Sequence, residues 1–220
     1  YKWTHHAMLP DRTTGVYSYM EARPGGRYTS VQWFGLQYVL REYLSGVRVT
    51  AADIDEAEQV ARVHFGGAPV FNRRGWQHIV DVHGGRLPVR ISALPEGMVV
   101  PVGTPLLTVE NTDPAVPWLT NVIESVLLKA WYPTTVATLS HHIRLALSER
   151  VVRSGGALAD ASHMLHDFGY RGVSSEESAQ AMAQFELLVE ENAESPYAEA
   201  ALFFAGKSAM AQINAEGLDH

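Results

Sequence analysis

The stretch Leu165-His166-Asp167-Phe168-Gly169-Tyr170-Arg171-Gly172-Val173-Ser174-Ser175 holds the residues of this chain best suited to act on a small molecule. Its two glycines let backbone N–H groups come close to a ligand. Arg171 offers a planar fork of donors that suits phosphate or diphosphate. Phe168, three residues earlier, presents a flat face on which a heterocycle can stack. Together they describe a site for a molecule with a ring and a phosphate. A strand ending in a glycine turn beside a solvated arginine accounts for the same spacing, because short motifs recur by chance. His166 and Asp167 beside the loop are assigned to structural hydrogen bonding.

The chain has ten histidines, which raises the question of a metal. His5-His6 and His141-His142 are adjacent pairs, whose side chains diverge by about 100° on a helix. His163 and His166 are three apart, but a glycine-rich block follows at once. None of these has a carboxylate at the spacing of a helical zinc motif, and no protein-ligated metal site is expected.

These groups must be positioned by a folded frame, and composition supports one. The chain has 220 residues, of which 46% are hydrophobic, enough for one sizeable domain or two small ones. A net charge of -7 without a dense basic patch disfavours nucleic acid as a partner. A few local arginines could still hold a small anion. Cysteine is absent, which removes disulfides, thiol nucleophiles and thiolate metal sites together. That absence fits a cytoplasmic protein. No apolar run reaches membrane-spanning length and no signal-peptide pattern opens the chain, so no membrane association is expected.

Hydrophobic periodicity predicts a mixed α/β order. Residues 14–23 alternate as a half-buried strand does, and Pro24-Gly25-Gly26 ends it. Phe34 to Leu44 has helical spacing, with Gly46 as its stop. Thr50, followed by Asp53, is a helix N-cap, and that helix runs to about Phe65 before Gly66-Gly67. A shorter helix runs from Arg74 to about Val82, closed by Gly84-Gly85. Residues 89–94 and 105–109 read as strands around the Pro95-Glu96-Gly97 turn. Trp118 to Trp131 reads as a buried apolar helix, broken by Pro133. A second long helix spans about Val136 to Val152, and Ser154-Gly155-Gly156 links it to the glycine-rich block.

Many short blocks, in order, resemble the nicotinamide phosphoribosyltransferase family. Besides 165–175 they include Thr4-His5, Val16-Tyr17-Ser18-Tyr19 with Glu21 and Arg23, and Phe34-Gly35-Leu36-Gln37-Tyr38. Further on come Phe71-Asn72, Gly75-Trp76, Leu87-Pro88, Pro95-Glu96-Gly97, Val109-Glu110-Asn111-Thr112-Asp113-Pro114, Trp118-Leu119-Thr120-Asn121, Trp131-Tyr132-Pro133 and Thr135-Val136-Ala137-Thr138. The resemblance covers about residues 1–178. It implies an α+β N-terminal domain plus the start of an incomplete β/α barrel, with residues 165–169 as an early barrel strand whose following loop faces the active site.

The resemblance also implies an activity: nicotinamide and phosphoribosyl diphosphate give nicotinamide mononucleotide and diphosphate in NAD salvage. In that setting Phe168 stacks on one face of the nicotinamide ring and Arg171 contacts the phosphate side of the substrate. Tyr1 matches a tyrosine that reaches across a two-fold homodimer to stack on the other face. Arg23 matches an arginine near the phosphate of the partner's site. Mg2+ is implied as an ion bound through the substrate diphosphate, and ATP as a coupled substrate. Tyr1 is not a natural start and is expected to follow a missing segment.

From about residue 179 the resemblance stops. Within the tail of residues 179–220, read as a helical hairpin, Ala179 to Ile213 is alanine-rich and helical in period, divided by Pro196. These residues weakly resemble a tetratricopeptide-type hairpin, and an ordinary helical hairpin is the preferred reading, because a single copy is weak evidence for a repeat. The family's phosphorylated histidine, its amide-reading aspartate and its later phosphate loops have no counterpart assignable here, so no catalytic residue is named. Two classes of function stand: a transferase fragment inactive alone, for which nicotinate is the alternative base, and a non-catalytic interaction protein that keeps the N-terminal domain.

Overall fold

The computed structural model describes residues 3–175 together with 178 and 179. The expected hairpin of residues 179–220 and the position of Tyr1 lie outside the described residues. Within them the chain is mixed helix and sheet. It divides into two compact units between which the backbone passes repeatedly.

The first unit gathers the described residues up to Glu21, then Leu36–Ala93 and Pro105–Lys129. Its sheet has three antiparallel strands: β1 (Tyr17–Glu21), β3 (Val89–Ala93) and, between them, β5 (Pro105–Asn111). Leu107 and Val109 of β5 are buried and lie opposite Met20 and Ile91, which sets the inner face. The other face carries Tyr17, Tyr19, Arg90 and Glu110, and Arg90 donates to Glu110 at 2.9 Å. Alternation is the physical reason these segments form strands with one wetter side, from which Leu106 of β5, fully buried, departs.

Among the described residues four α-helices complete this unit, of which α4 (Leu119–Leu127) packs on β5. The chain enters α1 (Leu36–Val39) and then a π-helical turn over Leu40–Leu44, where the Ser45 N–H reaches back to the Leu40 carbonyl at 2.8 Å. The helix α2 (Ala51–His64) starts at a complete capping box. Thr50 Oγ1 accepts the Asp53 N–H at 3.2 Å, and Asp53 Oδ2 accepts the Thr50 N–H at 2.8 Å. These bonds satisfy two of the amides that a helix start leaves open. Next, α3 (Arg73–His83) is capped by Asn72, whose Oδ1 accepts the Gly75 N–H at 3.0 Å. Arg73 donates to Asp55 at 2.6 Å and Glu58 at 2.9 Å, tying α3 to α2.

The turn after α3 depends on glycine. Gly84 takes a left-handed φ of 58° and Gly85 one of 77°. The Gly85 N–H bonds the Ile79 carbonyl at 3.1 Å, while its own carbonyl accepts from Arg48 N–H at 2.8 Å and Val49 N–H at 3.1 Å. A β-carbon at Gly85 would collide with the Val49 carbonyl oxygen. Finally α4 (Leu119–Leu127) buries Leu119, Ile123 and Leu127 and continues as a 3-10 turn over Leu128–Ala130.

The second unit comprises Ala22–Gly35, Leu94–Thr104 and the described residues from Ala130 onward. It holds a small antiparallel ribbon of β2 (Ser30–Gln32) and β4 (Val99–Pro101), which is not evident in the sequence. The long helix α5 (Trp131–Arg153) lies along the ribbon. Thr138 Oγ1 accepts the Gln32 N–H at 3.0 Å, and Thr134 Oγ1 accepts the Phe34 N–H at 3.3 Å and donates to its carbonyl at 2.9 Å. One turn further on, His142 Nε2 donates to the Ser30 carbonyl at 3.2 Å, and its ring stacks on Tyr28 with centroids 4.0 Å apart. Three side chains four residues apart on a helix thus serve three residues two apart on β2 and its continuation to Phe34.

Two expectations are corrected. Pro133 does not break the chain between helices; it lies in the first turn of α5, where a missing N–H costs little. Residues 165–168 form no strand. They are unpaired and lead into a 3-10 turn over Gly169–Gly172. A strand exists only beside a hydrogen-bonding neighbour, and none is present for this segment among the described residues. No described helix is long and apolar enough to cross a membrane.

Candidate functional site

The predicted ligand loop is an exposed turn of the second unit. Asp167 Oδ1 accepts the Gly169 N–H at 2.6 Å, a side-chain turn that starts the 3-10 segment. The structural role expected of Asp167 is therefore visible. Phe168 precedes that segment and is 76% exposed, with the His166 ring 6.4 Å away. Arg171 is in its last turn and is also exposed. A large aromatic exposed on a hydrogen-bonded turn can offer a π face to a ligand, and an exposed arginine three residues on can offer its donor fork. The short turn brings these two predicted residues onto one segment. Arg23 is exposed on the turn after β1, within the second unit, and Tyr1 lies outside the described residues.

The first unit has a cavity of about 310 Å³ lined by Trp3, Phe71, Trp76, Ile54, Val49 and Val122. Trp3 and Phe71 have ring centroids 5.8 Å apart, and Trp76 meets Trp118 edge-on at 4.9 Å. Its polar rim is already committed: Arg48 donates to the Arg41 carbonyl at 2.9 Å, and Asp53 closes the capping box. The Thr50 hydroxyl, which donates to Asp53 Oδ2 at 2.7 Å, and then the Thr50 N–H hold the Asp53 carboxyl below its ordinary range.

The same unit contains a grouping that sequence reading missed. His78 and His83 of α3 both direct Nε2 at Oδ2 of Asp113, at 2.8 and 2.7 Å. Asp113 follows β5, and its Oδ1 accepts the Ala115 N–H at 2.8 Å. Asn111 fixes the turn by donating to the Thr14 and Asp113 carbonyls and accepting the Val16 N–H. The Ala115 amide, then His83 and His78, hold the Asp113 carboxyl far below the usual carboxylate range. The two histidines are five apart on the helix and thirty or more residues from the aspartate, so no local motif announces them.

Elsewhere, burial lowers the His141 pKa, helped by His142 and Arg144. Burial also lowers that of His6.

Residues 1–91 match the family described as nicotinamide phosphoribosyltransferase, N-terminal domain. A nicotinamide phosphoribosyltransferase of Xanthomonas campestris is 43% identical over 81% of this chain and 37% of its own length. One from Mycoplasma pneumoniae is 31% identical over 85% of this chain and 46% of its own. The chain thus spans less than half the length of these relatives. The solved structure of human nicotinic acid phosphoribosyltransferase superposes with a TM-score of 0.52 at 20% identity, over 81% of this chain and 31% of that one, which shows a shared fold. The ordered blocks of the sequence, the domain match over 1–91 and the bacterial relatives agree: through this N-terminal part the chain belongs to the nicotinamide phosphoribosyltransferase family.

Proposed function

We propose that this chain contributes the base-stacking and diphosphate-binding turn of a phosphoribosyl transfer that joins nicotinamide to phosphoribosyl diphosphate and yields nicotinamide mononucleotide and diphosphate. The observation that carries the reading is the exposed pair Phe168 and Arg171 on the turn that Asp167 holds. In such a transfer a ring nitrogen displaces diphosphate from the anomeric carbon. Charge then builds on the leaving group and on an oxocarbenium-like sugar. Phe168 would fix the plane of the base, and Arg171 would receive negative charge as the carbon–oxygen bond breaks.

Mg2+ would travel on the diphosphate oxygens and neutralise them. Asp167, the carboxylate of this turn, already accepts the Gly169 amide, and no protein cage for the ion is assigned there. Tyr1 and Arg23 are the residues that a homodimer would lend to a partner's site. ATP is the coupled substrate of this reading, and the cytoplasm its location.

Binding is the direct test. Titration with nicotinamide mononucleotide or phosphoribosyl diphosphate plus Mg2+ should shift amide signals of residues 167–173. Arg171→Ala should weaken affinity by about 1.5–3 kcal/mol, the worth of one charge-assisted hydrogen bond. Phe168→Ala should weaken the mononucleotide more than free diphosphate. Unchanged affinity in both variants refutes the assignment. A parallel titration with nicotinate mononucleotide reads the base preference, and tighter binding there would favour the acid over the amide. A coupled assay with nicotinamide, phosphoribosyl diphosphate and Mg2+, with and without ATP, measures whether the 220-residue chain alone turns over.

A further inference from the structure

We infer that His78, His83 and Asp113 form a binding site for one late first-row divalent cation of the Zn2+ class, built on the first unit and separate from any ion carried by substrate.

Three observations carry this. The first is convergence. His78 Nε2, His83 Nε2 and an oxygen of Asp113 all lie within 4.8 Å of one another, and both imidazoles aim at the same oxygen, Oδ2. A single carboxylate oxygen gains little from a second donor that could have gone to water. Two imidazoles and one carboxylate facing a common point are a ligand set for a metal with an open coordination position. Donor atoms around Zn2+ at about 2.0–2.1 Å in a tetrahedral shell are roughly 3.3 Å apart. The present spacings of 2.7 and 2.8 Å need only open by about half an ångström to admit the ion.

The second observation is preorganisation. Asp113 cannot swing away freely, because Oδ1 holds the Ala115 amide and Asn111 holds its carbonyl at 2.8 Å. That leaves Oδ2 as a single, fixed donor. The histidine rings stand 5.9 Å apart at 71°, so they approach from two directions rather than stacking. The third is the electrostatic setting. His83 is the last residue of α3, and the C-terminal end of a helix carries partial negative charge that favours a cation. The side chains of His78 and His83 are 33% and 27% exposed, so solvent can reach the point they face and complete the shell.

The donor chemistry selects the ion. Imidazole nitrogen suits Zn2+, Co2+, Ni2+ and Cu2+, whereas Mg2+ and Ca2+ require mainly oxygen ligands. The ion would replace two N–H···O bonds, each neutral ring moving its proton from Nε2 to Nδ1, so that two imidazole lone pairs and one carboxylate lone pair point at it.

The test uses the full chain and Co2+ as the probe, since its visible absorption reports coordination directly. Titration should give a d–d band that saturates at one equivalent and is bleached by Zn2+ but not by Mg2+. His78→Gln and His83→Gln should each weaken Co2+ binding by at least about tenfold, the scale on which even outer partners of a metal act. His64→Gln, at the exposed end of α2, should leave binding unchanged. Paramagnetic shifts in the unmutated protein should centre on the amides of Ile79 and Ala115, a readout that needs no variant to fold. No band at stoichiometric Co2+, undiminished binding in both histidine variants, or shifts centred on His5-His6 or His141-His142 would each overturn the site.

Discussion

Replacing Gly85 by alanine should unfasten the turn that joins α3 to the segment before α2, and the cost can be worked from the geometry. Gly85 sits at φ 77°, where a β-carbon costs about 1–2 kcal/mol. The added methyl would also occupy the place of the Val49 carbonyl oxygen and come within 3.0 Å of Val47 Cγ1. Backbone is harder to move than a side chain, so the 47–49 segment must back away. Its retreat breaks the bonds from Arg48 and Val49 N–H to the Gly85 carbonyl, at 2.8 and 3.1 Å. Two such bonds are worth about 1–3 kcal/mol together. The expected loss is therefore about 2–5 kcal/mol. Gly84→Ala is the internal control. Gly84 is equally left-handed at φ 58° but has open space where a β-carbon would go, so it should lose only the conformational part, about 1–2 kcal/mol. Urea unfolding of both variants gives the difference, and hydrogen exchange at the Arg48 and Val49 amides locates it. Equal destabilisation by the two substitutions, or unchanged protection of those amides in Gly85→Ala, would refute the reasoning.

Thr138→Val keeps the shape of a buried side chain but strands the Gln32 N–H, and should destabilise by about 1–3 kcal/mol, while Thr138→Ser, which keeps the hydroxyl, should cost less; thermal unfolding compares them. Thr50→Ala removes the α2 cap and should cost about 1 kcal/mol in urea unfolding. The same substitution bears on pH. The Asp53 carboxyl is held below its unfolded value of 3.8, so its contribution to stability is complete above that pH and is lost as pH falls through the lower, folded value. Carbon-detected titration should therefore place Asp53 below 3.8 in the parent, with the midpoint rising toward 3.8 in Thr50→Ala.

Features set by neighbouring residues were legible in the sequence. The Thr50–Asp53 cap, the Gly84-Gly85 stop, and the strands at 89–94 and 105–109 each rest on contacts within a few positions or on simple alternation, and each is present. The helix at 34–44 is present too, although its second half widens into a π-helical turn. What escaped reading depends on the tertiary fold. The strands β2 and β4 are three residues each and have no alternation long enough to detect. Residues 165–169 read as a strand but have no strand partner among the described residues, so chemistry alone did not make them one. His78, His83 and Asp113 meet only because α3 packs beside the turn after β5, and pair spacing along the chain cannot foresee that. The division into two interleaved units is likewise set by which segments pack together, not by a linker of distinctive composition.

The row formed by Thr134, Thr138 and His142 beside β2 bears on how large this ribbon can become. An exposed strand edge invites another strand, from the same chain or a second molecule, and natural proteins must block that growth. Here a helix does the blocking. The outward amides of Gln32 and Phe34 and the Ser30 carbonyl are engaged, so an incoming strand would find these teeth already meshed. The match resembles a vernier. Four residues of helix advance about 6.0 Å, and two residues of strand about 6.6 Å. The mismatch of roughly 0.6 Å per step is tolerable over two steps and would exceed hydrogen-bonding tolerance over many more. A strand sealed by a straight helix in this way must be short, and β2 spans only Ser30–Gln32.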